Sequence, residues 1–252
     1  MNRFVVSVFL VSTALVASGC GQVLPGNGDE RDALSSGRSG SGSAAISLEK
    51  AKAGDFITYG SYIQTPASDG SRQDLEWIVL DRQPEKALLL TRYVIALAPF
   101  HETGEPVTWA DSSLRKKLNG DFYEDAFLPE EKSRILTASN STTANPDRGT
   151  FGGAEADDRV FLLCQEDAAY YMDSDYTQWE FGSAQPTEAA KQEGVYVDEE
   201  TGCSPWWLRS PGYDEYSIQF IQPDGTPYIP GANADIDYYY GVRPAIWVSI
   251  RS

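Results

Sequence analysis

The chain has 252 residues, 41% of them hydrophobic and 12% aromatic, with 6 Trp and 14 Tyr, and a formal net charge of −17. That charge excludes nucleic acid as a partner, because phosphate binding needs clustered Lys and Arg to displace counterions. It also leaves the polypeptide itself unsuited to anionic lipid, and makes the acids a solubility device or a source of cation ligands.

Met1 to Gly19 reads as a targeting segment. Arg3 is followed by an apolar run from Phe4 to Ala17, too short for the roughly 20 apolar residues of a membrane-spanning helix, and then by Ala17-Ser18-Gly19-Cys20. Small residues before a cysteine are the pattern of a bacterial lipoprotein signal, which predicts cleavage before Cys20 and lipidation of its side chain. The expected address is the extracytoplasmic face of a cell membrane, with the lipid as the only membrane contact. Residues 20–45 are rich in Gly, Ser and Asp, with scarcely an apolar residue, and read as a flexible tether. Its mean reach would be about 25–30 Å.

The folded part is expected over 46–252. Asp55-Phe56-Ile57-Thr58-Tyr59, Leu75 to Asp81 and Ala87 to Thr91 alternate or cluster as three strands of an antiparallel meander. Thr108-Trp109-Ala110-Asp111 has the form of a capping box, ahead of a helix carrying Leu114 and Leu118 on one face. Pro129-Glu130-Glu131 opens a further helix, expected to end near Ile135-Leu136. Residues 140–158 read as an exposed polar loop, Val160 to Leu163 as a strand, and Gln165 to Met172 and Pro186 to Gly194 as helices. The chain from Trp206 is strand-like and turn-rich, closing with a strand from Val242 to Ile250. Strands at both ends around central helices imply an α+β domain whose terminal strands share a sheet.

Several segments resemble an uncharacterised domain family of bacterial secreted and surface proteins. They are Trp206-Trp207-Leu208-Arg209-Ser210-Pro211-Gly212, Asp224-Gly225 and Gly241-Val242-Arg243-Pro244-Ala245-Ile246-Trp247, with Glu76 to Leu80 and Leu114-Arg115-Lys116-Lys117-Leu118-Asn119 upstream. The pair Trp207-Leu208-Arg209 and Gly241-Val242-Arg243-Pro244-Ala245 is similar, more distantly, to the C-type lectin-like fold of formylglycine-generating proteins and diversified surface receptors. The resemblance implies a C-type lectin-like α+β domain with irregular ligand-facing loops. The cysteine pair of formylglycine-generating enzymes is missing, so their chemistry is not carried over.

Candidate site residues follow from side-chain chemistry. Tyr213, Tyr216, Tyr228, Tyr238 and Tyr239, with whichever of the adjacent Trp206 and Trp207 faces outward, supply rings for a glycan face or a protein partner. Trp207 is assigned to this surface. Arg209, Arg243 and Trp247 are read as internal structural residues, the arginines stapling backbone carbonyls or acids. Asn233, Asp235 and Asp237 alternate oxygen side chains in a loop, which suits calcium. No other cofactor is expected. Cys164 and Cys203 can pair or remain buried thiols, and His101 lies in a polar loop beside Glu102. The expected function is a membrane-anchored, non-catalytic module binding a glycan or protein. The alternatives are a surface hydrolase or modifying enzyme built on a carboxylate pair, and a structural subunit of a surface complex.

Overall fold

The computed structural model describes residues 46–66, 70–172 and 181–251, all within the compact unit Ser41–Ser252. Cys20 and the tether lie outside the described residues. The unit is α+β: two five-stranded sheets, one two-stranded ribbon and a few short helices.

The first sheet begins with β1 (Phe56–Tyr62), β2 (Gln73–Arg82) and β3 (Lys86–Thr91), the antiparallel meander read from the sequence. Its order is completed by β12 (Ala245–Ser249) beside β3 and β5 (Ile135–Leu136) at the edge. Ile135 and Leu136 are thus strand residues, paired with Val248 and Trp247, rather than the end of a helix. The preceding helix, α3 (Pro129–Lys132), is shorter than expected. Its Glu131 carboxylate is tied down at both oxygens, accepting from Gly60 N in β1 and from Leu128 N.

The second sheet has the order β10 (Pro227–Asn233), β9 (Ser217–Ile221), β8 (Trp206–Pro211), β11 (Gly241–Val242) and β4 (Ala96–Leu97). β9 and β10 form a hairpin, and Asp224-Gly225 makes its turn. Gly225 takes a φ of +90°, Gly225 N donates to Gln222 O at 2.9 Å, and Asp224 Oδ1 accepts from Thr226 N at 2.9 Å. A positive φ is what the missing Cβ permits.

The closing strand expected over 242–250 is in fact two strands in two sheets, β11 and β12, broken at Arg243-Pro244. β3 and β4 cross between the same two sheets in the opposite direction. Arg243 joins the two crossings: it is fully buried, its Nε donates to Thr91 O at 2.8 Å and its Nη2 to Arg92 O at 3.4 Å, while Thr91 N donates to Pro244 O. Proline supports the change of direction because it lacks the N–H a continuing ladder would use. Gly241 is there for space. A Cβ on it would stand 2.1 Å from Val94 Cγ1.

Between the sheets' strands run the helices. The α1 cap is Ser112, whose Oγ accepts from Arg115 N at 3.1 Å, and not Thr108, which precedes only a short 3₁₀ turn at Trp109–Asp111. α1 (Ser113–Lys117) runs through a π turn (Leu118–Phe122) into α2 (Tyr123–Ala126). Leu114 and Leu118 point into the core as the spacing required. The stretch 140–158 is a loop whose two ends are zipped together as β6 (Ala138–Asn140) and β7 (Ala156–Asp158). Val160 to Leu163 are buried, but only Phe161 bridges to Ala245, so the run is no regular strand. α4 (Gln165–Met172) and α5 (Glu188–Glu193) stand where helices were expected, α5 being capped by Thr187 Oγ1, which accepts from Ala190 N.

Candidate functional site

A groove of about 410 Å³ lies against the second sheet. Phe220 of β9 and Tyr228 of β10 form one wall. Residues 236–240, leading into β11, bring Tyr238, Tyr239 and Tyr240 to the other, and Pro205 and Pro223 close the sides. Tyr228 lies 5.1 Å from Phe220 between ring centroids, Tyr240 lies 4.6 Å from Phe220, and Tyr239 lies 4.8 Å from Tyr240 in an edge-to-face contact. Such offset and edge contacts are the favourable arrangements for aromatic pairs. Behind Tyr239, Tyr196 stacks at 4.5 Å with rings nearly parallel. Tyr238 is 69% exposed and Tyr228 40%, whereas Tyr240 is 8% exposed. Burial pushes the Tyr240 phenol up to about 12, and burial with help from Tyr196 and Asp198 raises that of Tyr239. Tyr239 and Tyr240 are therefore neutral hydrogen-bond donors at physiological pH.

Three of the tyrosines chosen from the sequence, Tyr228, Tyr238 and Tyr239, converge on this groove. Trp207 does not reach its surface. Every residue of β8 is buried, since the strand is central in its sheet and covered on both faces, and Trp207 has no exposed area. It supports the groove from below, with its ring 4.2 Å from Tyr240 and its Nε1 donating to Ala98 O at 3.0 Å. The expectation that the Trp pair divides between core and surface is thus corrected: Trp206 is also fully buried, donating to Gly182 O. Phe220 is the aromatic residue of the groove that the sequence reading missed. Its signal lay in its register opposite Tyr228, which needs the hairpin to be known.

Tyr216 belongs to a second hollow of about 240 Å³, lined also by Glu105, Asp214, Asn233 and Asp235. Asn233 and Asp235 share this hollow; Asp237 is not among its lining residues. Among the described residues no three His, Cys, Asp or Glu side chains are grouped to hold a metal ion. Tyr213 stands elsewhere, its hydroxyl donating to Asp147 Oδ2 at 3.0 Å beneath the Arg148 guanidinium. The Asp147 hydrogen bond, followed by burial, raises its pKa.

The internal residues form bonded networks. Arg209 donates through Nη1 to Leu162 O and to Asp167 Oδ2 at 2.8 Å, and through Nη2 to Ser141 O. Asp167 also accepts from Cys164 N at 3.0 Å, while Cys164 Sγ accepts from Asp167 N at 3.3 Å. Cys164 is thus the N-cap of α4 in a reciprocal capping box, and burial pushes its thiol up to about 12. Arg243 finds carbonyls alone: Thr91, Arg92 and Phe181 accept from it, Trp206 lies under it at 5.1 Å, and burial pulls its pKa down to about 9. Trp247 is half-buried beneath the Lys86 ammonium, 4.1 Å from its ring centroid. His101 is half-buried rather than solvent-exposed, and its Nδ1 faces Ser113 N at 3.2 Å, while Glu102 pairs with Lys117.

Asp158 escaped the sequence reading altogether. It is buried, and its carboxylate accepts from Trp109 Nε1, Arg115 Nε, Asn119 Nδ2 and Asn140 Nδ2 at 2.6–3.2 Å. Arg115 and Asn119 stand four apart on one face of the helix, so the segment Leu114 to Asn119 buries its leucines on one side and grips Asp158 with the other.

Residues 84–250 match DUF6273, a domain of unknown function. The chain belongs to this family. The DUF6273 match covers both Arg209 and Arg243, the Asp158 network and every residue lining the groove. No curated protein and no solved structure matches the chain. Among the described residues, no helix is long and apolar enough to cross a membrane.

Proposed function

We propose that this DUF6273 protein is an extracytoplasmic binding module, held to a membrane by lipid on Cys20 and not itself catalytic, whose domain is a C-type lectin-like variant that offers a loop-built groove to a glycan or protein. The observation carrying this reading is the groove between Tyr228, Tyr238 and Tyr239: the Tyr228 and Tyr238 rings are exposed, they stand on packed aromatic rings, and no carboxylate lines it. Concave apolar sites with a few polar groups are the usual form of ligand sites, and rigid amphipathic rings bind at low entropic cost. A hydrolytic acid pair would have no members there.

The test is binding of the whole chain to arrays of oligosaccharides and of peptides, repeated with Tyr238→Ala. A ligand retained by the native chain and weakened about tenfold or more by the substitution is expected, as aromatic anchors typically carry over 1 kcal/mol. Ligands indifferent to Tyr238→Ala would place recognition elsewhere. Including millimolar calcium and then a chelator tests the proposal that Asn233, Asp235 and Asp237 take calcium, which would appear as a raised melting temperature reversed by the chelator.

A further inference from the structure

We infer that the tyrosine groove takes an extended, proline-rich peptide segment carrying Arg or Lys, in preference to a saccharide. The inference rests on the groove being the binding site, and it follows from three properties of the walls.

The first is charge. Between Lys191 and Arg243 the sequence holds a single basic residue, Arg209, which is buried and paired with Asp167. The same stretch contains Asp198, Glu199, Glu200, Asp224 and Asp237. Glu199, Glu200, Asp224 and Asp237 are exposed, and Asp198 acts electrostatically on the Tyr239 phenol. Asp224 follows the lining residue Pro223, and Asp237 lies between the lining residues Ile236 and Tyr238. The groove is thus a neutral floor flanked by Asp224 and Asp237, with Asp198 acting on one of its rings, and is complementary to a cationic partner and repellent to a uronic or sulfated glycan.

The second is hydrogen-bonding capacity. Apart from tyrosine hydroxyls, the polar side chain in the lining is Gln222, and its amide already donates to Thr226 Oγ1 at 2.9 Å. A pyranose buries hydroxyls that must each donate as well as accept, and an unmet donor is costly. A polyproline II segment asks for less: its prolines have no N–H, and its carbonyls accept from the phenolic O–H groups that the walls offer.

The third is relief. Tyr228, Tyr238 and Tyr239 stand as ridges beside Pro205 and Pro223. Aromatic ridges of this kind receive the side chains of an extended helix that rises about 3.1 Å per residue with three residues per turn.

The experiment is fluorescence anisotropy of the whole chain with a library of labelled proline-rich peptides of about ten residues, each made with Arg, Glu or Gln at its ends, and in parallel with neutral cello- and chito-oligosaccharides. Expected are peptides whose Arg form binds at least about tenfold tighter than its Glu form, with affinity falling as salt rises. Tyr238→Ala should abolish that binding. The exposed-site variant Asp224→Asn, which keeps the oxygen that accepts from Thr226 N and leaves the walls intact, should reduce the preference for Arg while retaining the Gln form. Equal binding of Arg and Glu forms would overturn the inference. So would oligosaccharide binding sensitive to Tyr238→Ala without any peptide binding, although that result would uphold the groove as the site. If neither class binds and Tyr238→Ala changes nothing, both the inference and the groove reading fall.

Discussion

Asp158 shows how much of this molecule hangs on single buried polar groups. Removing a carboxylate from water is tolerable because four donors meet it, one of them a guanidinium at 2.6 Å. In Asp158→Asn the amide hydrogens would confront donors already pointing at the site, and the Arg115 charge would lose its partner. A loss of about 3–5 kcal/mol of stability is expected. Urea unfolding measures it, with Asp157→Asn on the exposed face of the same strand as the control, expected within about 0.5 kcal/mol of the native chain. Equal stability of the two variants would mean that the network is ornamental. The arginines obey the same logic in different ways. Arg209 answers its desolvation with Asp167, whereas Arg243 does so with carbonyls at the sheet crossing.

At the level of elements, short helices in this fold depend on their ends. α4 is eight residues long and begins with Cys164 as its cap. A helix of that length is marginal without capping and packing. Cys164→Ser keeps an acceptor in place and a stronger one, so stability should hold or rise slightly, while Cys164→Ala strands Asp167 N and should cost about 1 kcal/mol. Melting temperatures of the two variants decide the matter: equal losses would show that the thiol contributes volume and not capping. The meander, the helix at Gln165 to Met172 and the start of α5 were legible in the sequence, because each depends on neighbours within a few residues. The helix end at Ile135-Leu136 and the single strand over 242–250 were not. Both runs are apolar enough for either structure, and the choice was made by β12 pairing with β5 and by the sheet switch at Arg243-Pro244.

Over the whole molecule, burial of ionisable aromatic and thiol groups sets an alkaline limit. Burial is the leading cause of raised pKa values at Tyr59, Tyr62, Tyr171 and Tyr240 and at Cys164, the last two reaching about 12 from ordinary values of 10.0 and 9.0. Each group holds its proton in the folded chain at a pH where the unfolded chain has released it. Their contribution is complete below about pH 9 and is lost as pH climbs toward about 12, because the unfolded state then binds fewer protons. Denaturation midpoints should therefore fall steadily from about pH 9 upward, accompanied by tyrosinate absorbance that lags that of free tyrosine. A flat profile through about pH 11 would contradict the burial of these rings.

The sequence by itself determined the α+β class, the meander, several helix starts, the internal character of Arg209 and Arg243, and the acidity of the stretch beyond Lys191. These follow from local periodicity, capping chemistry and the cost of burying charge, all of which act over short spans of chain. Tertiary structure alone decided which tyrosines meet. Tyr213, Tyr216 and Tyr228 are close in sequence yet serve a hydrogen bond to Asp147, an acidic hollow and the aromatic groove, because the first two precede β9 whereas Tyr228 lies on β10 opposite Phe220. The same holds for Trp207, whose ring is hidden by layers contributed from residues more than a hundred positions away, such as Ala98 and Phe100. Contacts of that separation leave no periodicity in the chain to be read.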